Sequence, residues 1–227
     1  RHLKIELERC SEIEVVCLSR DRKDKKSVNW SLEEKDITWP KSISGKNYFL
    51  IHLSYNWYDR SNVKKNSNFI GTLDLFSSFE NHFKNGLIIY CSSSVSSPLN
   101  LSSYSTVKEA ITNWILIKSH LVIKCGIFVD YPAFGQVKFL TSISKFPILP
   151  FPLLYKKVQL STREALFCSI KKVINQKGPR GVHSCVSSET PIKDFIKALA
   201  ASYGNKYILC IQVLQKEREG EMLYMTT

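Results

Sequence analysis

The 227-residue sequence predicts an α/β fold built on a parallel sheet, on three observations. Short apolar runs alternate with stretches of helical periodicity through about the first 125 residues, the strand–helix–strand grammar of parallel sheets. The runs are apolar throughout rather than alternating, as strands are when helices cover both faces of their sheet. The length suits one large domain or two small ones. Apolar residues make up 44% of the chain and charged residues 23%, which excludes disordered, collagen-like or coiled-coil sequence as the main content.

Leu3, Leu7 and Cys10 give a short helical stripe at the start. Ile13 to Ser19 reads as a buried strand that ends in the polar run Arg20-Asp21-Arg22-Lys23. Residues 21–47 are polar and read as loop, with a brief Asp36-Ile37 element. Tyr48 to Ser54 is a second strand. Phe69, Leu73, Phe76, Phe79 and Phe83 recur every three or four residues and predict a helix over Asn68 to Phe83, stopped by Gly86. Leu87 to Cys91 is a third strand, Ser103 to Ser119 a helix and Leu121 to Cys125 a fourth strand. Beyond about residue 126 the grammar loosens around Pro132, Pro147, Pro150 and Pro152, and the domain boundary is expected there. Ser161 to Asn175 reads as helix and Gly181 to Val186 as a short strand. Thr190 and Pro191 read as the N-cap and first turn of a helix that Gly204 closes.

Lys and Arg total 32 against 20 acids, a formal charge of +12, which favours anionic ligands. The lysines are scattered and form no stripe or tail, as on a solvated surface. The aromatic–basic motifs of nucleic-acid-binding modules are missing from the sequence. Seven cysteines form neither a Cys-x-x-Cys pair nor a zinc-spaced cluster, so no metal is expected. Their apolar settings predict buried free thiols in a reducing compartment, the cytoplasm. No run approaches the roughly 18 apolar residues of a membrane span, and the first residues carry no leader-like apolar core. His52, inside an apolar strand, reads as a core histidine.

One segment carries chemistry. The strand Leu87 to Cys91 ends in Ser92, Ser93 and Ser94, and the following helix presents Tyr104 and Lys108 four residues apart, hence on one face. In open α/β sheets ligands bind at the carboxyl ends of the strands. A tyrosine of ordinary pKa near 10 is a poor base at neutral pH, and an adjacent ammonium favours its phenolate. Such a phenol can exchange a proton with a substrate hydroxyl or carbonyl while a hydride moves to or from a nicotinamide. Ser93, or the neighbouring Ser92, would hold the substrate oxygen. Tyr-x-x-x-Lys means little by itself in a lysine-rich chain; its place after a serine-ended strand carries the reading.

The wider pattern resembles the extended branch of the short-chain dehydrogenase/reductase superfamily, which contains NAD(P)-dependent epimerases and dehydratases of nucleotide sugars. Val15-Val16-Cys17-Leu18-Ser19-Arg20 looks like the second strand with its cofactor-selecting end, and Asp36-Ile37 like the acidic–apolar pair beside the adenine. Leu50-Ile51-His52-Leu53-Ser54 is similar to the fourth strand, where the family often reads His-Leu-Ala. Asn68-Phe69-Ile70-Gly71-Thr72 matches Asn-x-x-Gly-Thr, and Ser93, Tyr104 and Lys108 fall on the catalytic triad. Lys124-Cys125-Gly126-Ile127-Phe128-Val129 resembles the Arg-Pro-Gly-x-x-Tyr turn that faces the nicotinamide, with Cys125 in place of its proline.

The resemblance implies a Rossmann-like doubly wound parallel sheet over residues 1–125, without its first strand, and a small C-terminal α/β substrate lobe over 126–227. Arg1-His2-Leu3 looks like the sequence just after the family's Gly-x-x-Gly-x-x-Gly turn, so that turn is expected to lie outside these residues. The implied cofactor is NAD or NADP, touched by Ser19, Arg20, Asp36, Ile37, Leu53 and Ser54, by Asn68, Tyr104 and Lys108, and by Gly126 and Ile127. Ser19 and Arg20 stand where a carboxylate would hold the ribose diol of NAD, which slightly favours NADP. The implied substrate is a nucleotide sugar and the implied assembly a homodimer, with no nucleic-acid or membrane partner. The alternative is a catalytically impaired or non-enzymatic dinucleotide-binding relative.

Overall fold

The structure, a computed structural model, describes residues 2–19, 27–33, 37–39, 47–56, 59, 61–94, 103–129, 137, 141–142, 148–151, 156–176, 180–202, 204 and 209–212. Two compact units share the chain. The first comprises Arg1–Lys124 with Arg163–Cys185, the second Cys125–Thr162 with Val186–Thr227.

The first unit is α/β and Rossmann-like. Strands β3 (Phe49–His52), β4 (Leu87–Ser93), β5 (Leu121–Cys125) and β9 (Gly181–Cys185) form a parallel sheet in the order β3-β4-β5-β9. Leu50 pairs with Ile88 and His52 with Tyr90. Ile88, Ile89, Leu121, Val122 and Ile123 are fully buried, as an unbroken apolar run requires when helices cover both faces. A separate pair of short parallel strands, β1 (Cys17–Ser19) and β2 (Ser27–Asn29), precedes this sheet in the chain. The expected strand from Ile13 is thus only its last three residues. Glu14 is exposed and breaks the apolar run, and the partner strand offers three residues. Strand β2 lies inside the stretch read as loop; Val28 and Trp30, hidden there among polar neighbours, are both core residues.

Helix α1 (His2–Glu8) packs on α4 (Arg163–Asn175). Helices α2 (Ser67–His82) and α3 (Ser103–Ile117) pack on each other. The buried positions of α2, Asn68, Gly71, Thr72, Leu75, Phe76 and Phe79, follow the 3.6-residue period. Those of α3 include Val107, Ile111 and Ile115. Leu75, Phe76 and Phe79 of α2 and these three residues of α3 form one hydrophobic core with Leu50, Ile88 and Tyr90. Asn66 caps α2, its side chain accepting from the Asn68 N–H.

His52 lies inside this core. Its ring meets Phe76 at 5.3 Å, Tyr90 at 5.7 Å and Trp30 at 6.1 Å, and Nε2 is 3.3 Å from Thr72 Oγ1. Burial, reinforced by the positive charge of Lys108, lowers its pKa from 6.5 to about 3. The folded protein therefore holds a neutral imidazole, while the unfolded chain binds a proton below about pH 6.5. Stability present above that pH is lost progressively as pH falls toward 3, at up to about 1.4 kcal/mol per pH unit. Urea midpoints are expected to fall between pH 7 and 5, with a shallower slope in His52→Gln. Equal slopes in the two proteins would remove this role for His52.

In the second unit β6 (Ile127–Phe128) runs parallel to β8 (Lys157–Ser161), and β8 antiparallel to β10 (Ser188–Pro191). Phe195 and Ile196 of α5 (Ile192–Ser202) pack with Val137, Val158 and Leu160. Strand β7 (Ile148–Phe151) pairs in parallel with β11 (Leu209–Gln212). The expected helix opens directly after Pro191, at Ile192, while Thr190 and Pro191 themselves end β10, pairing with Val158 and Lys157 rather than forming the cap and first turn. A cross-strand partner outweighs local cap preference there, and β10 is an edge strand of its sheet, where proline is tolerated.

Among the described cysteines, Cys91, Cys125 and Cys185 are buried, Cys10 and Cys17 partly buried, and none is in a disulfide. Cys168 departs from the expectation of burial: it is exposed on α4, whose buried stripe runs through Leu166, Ile170 and Val173. No helix among the described residues is long and apolar enough to cross a membrane.

Candidate active site

The site is built where β3 and β4 end and α2 begins. The Asp59 carboxylate accepts from the Ser61 hydroxyl at 2.6 Å, the Ser61 N–H at 3.0 Å and the Ser67 N–H. The Ser61 hydroxyl and these N–H donors hold its pKa well below the usual carboxylate range, against a partial burial that acts the other way. Asn68, on the first turn of α2 and buried, grips the backbone of Asn56 at both polar groups. Its Nδ2 donates to the Asn56 carbonyl at 3.0 Å and its Oδ1 accepts from the Asn56 N–H. Asn66 Oδ1 takes the other Nδ2 proton at 2.9 Å. The amide of Asn68 thus fixes the chain just past β3, next to Tyr55.

Tyr55 reaches the residues that the sequence singled out. Its ring stands edge-on to the Tyr104 ring, centroids 4.8 Å apart at 75°. The Lys108 ammonium lies 5.3 Å from the Tyr55 centroid and 4.8 Å from that of Tyr90 on β4. Lys108 is buried, at 5% exposure, and Nζ donates to the Cys91 carbonyl at 3.1 Å. An ammonium is strongly disfavoured in such a place unless rings, carbonyls or ligands compensate it. Burial first, and then the charge an ionised Tyr104 would carry, raise the pKa of both Tyr55 and Tyr90. These two phenols stay neutral beside Lys108. The Tyr90 hydroxyl is buried and has no hydrogen-bond partner among the described residues.

The serines separate. Ser92 is buried, its Oγ 3.2 Å from Thr112 Oγ1, and Thr112 donates to the Lys108 carbonyl at 2.8 Å. Ser92 therefore helps seat α3 on β4. Ser93, the last residue of β4, is half-buried, and the pleat turns it to the opposite side from Ser92.

The remaining expected residues lie as follows. Leu53 and Ser54 are exposed just past the end of β3, and Ser19 ends β1. Ile37 lies with Trp39 in an open cleft of about 630 Å³ lined by Asp74, Ser78 and His82 of α2. That cleft is two to four helical turns along α2 from Asn68. Arg20 and Asp36 fall outside the described residues. In the second unit the Gly126 N–H donates to Ser161 Oγ at 2.8 Å, and Ile127 pairs with Leu160. No group of three or more His, Cys, Asp or Glu among the described residues is placed to hold a metal ion.

Tyr104, Lys108 and, through Asn56, Asn68 are thus brought around Tyr55. Tyr55 and Tyr90 were not anticipated. The available signal was an aromatic directly after a parallel strand, where ligands of such sheets bind.

Solved structures share the fold. UDP-N-acetylglucosamine 4-epimerase from Bacillus cereus matches with a TM-score of 0.68 and 13% identity, over 93% of this chain and 81% of that one. RMD from Pseudomonas aeruginosa, solved with NADPH, matches with a TM-score of 0.60 and 16% identity, over 83% and 74%. UDP-glucose 4-epimerase from Thermus thermophilus, solved with NAD, gives 0.56 and 9%, over 72% and 64%, so the chain spans under two thirds of that enzyme. No family model matches the sequence, and no curated protein matches it either.

Proposed function

We propose that a protein with this Rossmann-like sheet binds NAD or NADP and acts on a nucleotide sugar, as an epimerase, dehydratase or reductase. The observation that carries this reading is the buried ammonium of Lys108, held against the same ring as Tyr104 at the carboxyl end of a parallel strand. The nucleotides and nucleotide sugars bound by the structural neighbours support the class: NADPH in one, NAD in another, UDP-glucose in a third.

The residues fit such a ligand. The Tyr90 hydroxyl is buried without a hydrogen-bond partner among the described residues, and the Lys108 ammonium lies over the Tyr90 ring. Ribose and sugar hydroxyls satisfy groups of both kinds. When bound, a nicotinamide supplies reversible hydride transfer at a sugar carbon. Tyr104 takes the proton of the reacting hydroxyl, or returns it to the carbonyl, with Lys108 as the adjacent positive charge. Lys108 also binds the nicotinamide ribose, and Ser93 orients the substrate oxygen. Asn68 keeps the segment after β3 in place. Ser19-Arg20 favours NADP, Asp36-Ile37 the adenine side, and Leu53 and Ser54 line the cofactor. The second unit serves as substrate lobe, a homodimer is the assembly, and the free thiols suit the cytoplasm.

The test pairs fluorescence titration of NADPH and NADH with a cofactor-reduction screen over UDP-, GDP- and dTDP-sugars. Binding together with reduction by at least one sugar supports the reading. Binding without turnover over the whole panel assigns the protein to the catalytically impaired alternative. Absence of binding to either cofactor at millimolar concentration overturns both.

A further inference from the structure

We propose that Tyr55 is a positioning residue of this site, its ring holding the Lys108 ammonium over one face and the Tyr104 ring at its edge. The inference rests on the reading of Tyr104 as acid and base, and goes beyond it by naming what keeps phenol and ammonium in register. Spacing on α3 puts Tyr104 and Lys108 on one side of the helix. It does not set where two flexible side chains end. Lys108 has four rotatable bonds, and its compact charge is strongly attracted to water.

Its position is defined by contacts that include the Cys91 carbonyl at 3.1 Å, the Tyr90 ring at 4.8 Å and the Tyr55 ring at 5.3 Å. Tyr90 and Cys91 belong to the rigid central strand β4. Tyr55 comes from a segment outside regular structure, yet that segment is anchored. Asn68 holds both backbone groups of Asn56, and the Asp59 carboxylate ties Ser61 to the start of α2. The anchor chain runs from the N-terminus of α2 through Asn68 and Asn56 to Tyr55, and from Tyr55 to both working groups of α3. Edge-to-face and cation–π contacts each favour one arrangement of the two side chains over their other rotamers. Among the charged and titratable groups here, Tyr104 interacts with Tyr55 and with Tyr90 of β4, Lys108 of α3 lies over the Tyr55 ring, and Asp59 from the segment after β3 acts on Tyr55. The phenol of Tyr55, kept neutral by burial, contributes its ring and carries no charge into the site.

The test reads the ionisation of Tyr104 in the whole chain by NMR of ring-labelled tyrosine, the signal assigned by its loss in Tyr104→Phe. It needs no substrate. Tyr55→Phe keeps the ring and is expected to titrate as wild type, within about 0.2 pH unit. Tyr55→Leu removes the ring and is expected to move the midpoint up by roughly one unit, as Lys108 swings toward water. Tyr55→Met repeats the measurement with a longer apolar side chain, so a folded variant without the ring is in hand if either fails to fold. Lys108→Met is the control for the underlying reading. A shift in Lys108→Met but none in folded Tyr55→Leu or Tyr55→Met overturns the positioning role alone. No shift in Lys108→Met overturns the acid–base reading, and the positioning role with it. An equal shift in Tyr55→Phe also overturns the proposal, because the hydroxyl rather than the ring would then act.

Discussion

Tyr104→Phe is expected to lower turnover by about 10²–10⁴-fold, the usual contribution of a positioned acid–base group, while the dissociation constant for NADPH or NADH changes less than about twofold. The substitution removes one oxygen and keeps the ring. The edge contact with Tyr55 at 4.8 Å therefore survives, and with it the seat of Lys108. Stability is expected to stay within about 1 kcal/mol of wild type, since surface and partly buried positions tolerate such changes. Lys108→Met is expected to behave differently, weakening cofactor binding and turnover together, because under the proposed function the ammonium would contact ribose as well as supply charge to Tyr104. The measurement is kcat and the cofactor dissociation constant for each variant, with the sugar that scores in the reduction screen. Turnover of Tyr104→Phe within threefold of wild type would take the proton-transfer role away from this residue.

Gly71→Ala is expected to destabilise the protein by about 3 kcal/mol or more, at the upper end of what overpacking costs in a well-packed interior. In an exposed helix the same change stabilises by up to about 1 kcal/mol, because alanine is the better helix former. Here the added Cβ meets the Leu32 carbonyl oxygen at 2.0 Å and the Leu32 carbonyl carbon at 2.7 Å. Both are backbone atoms and cannot rotate aside. Moving them would displace Trp30 and Leu32, which pack in or against the core beneath α2. For a chain of this size the loss corresponds to a fall in Tm of roughly 6–12 °C. Urea midpoints with unchanged slope give the value directly. A Gly71→Ala protein as stable as wild type would mean that the segment after β2 does not lie against α2. Gly126→Ala meets the Gln159 carbonyl at 2.2 Å and is its counterpart in the second unit.

The elements that local pattern alone specifies coincide with the structure. Helices α2, α3 and α4 start and stop within two residues of their expected ends, and β5 matches outright. Each is long or apolar enough that periodicity outweighs its neighbours. Two short pieces did not follow local pattern. The three-residue β2 and the pairing of Thr190 and Pro191 with β8 exist because another strand lies alongside, and no window of sequence contains that strand.

The candidate site divides along the same line. By itself the sequence determined that Tyr104 and Lys108 share a helix face after a serine-ended strand, because one helical turn is a local property. Only the tertiary structure decided that Lys108 is buried against the Cys91 carbonyl, that Ser92 turns into α3 toward Thr112, and that Tyr55 meets both working groups. Those contacts join residues far apart in the chain. They arise where the ends of two parallel strands, β3 and β4, meet helices α2 and α3, a closure that side-chain spacing along one element does not encode.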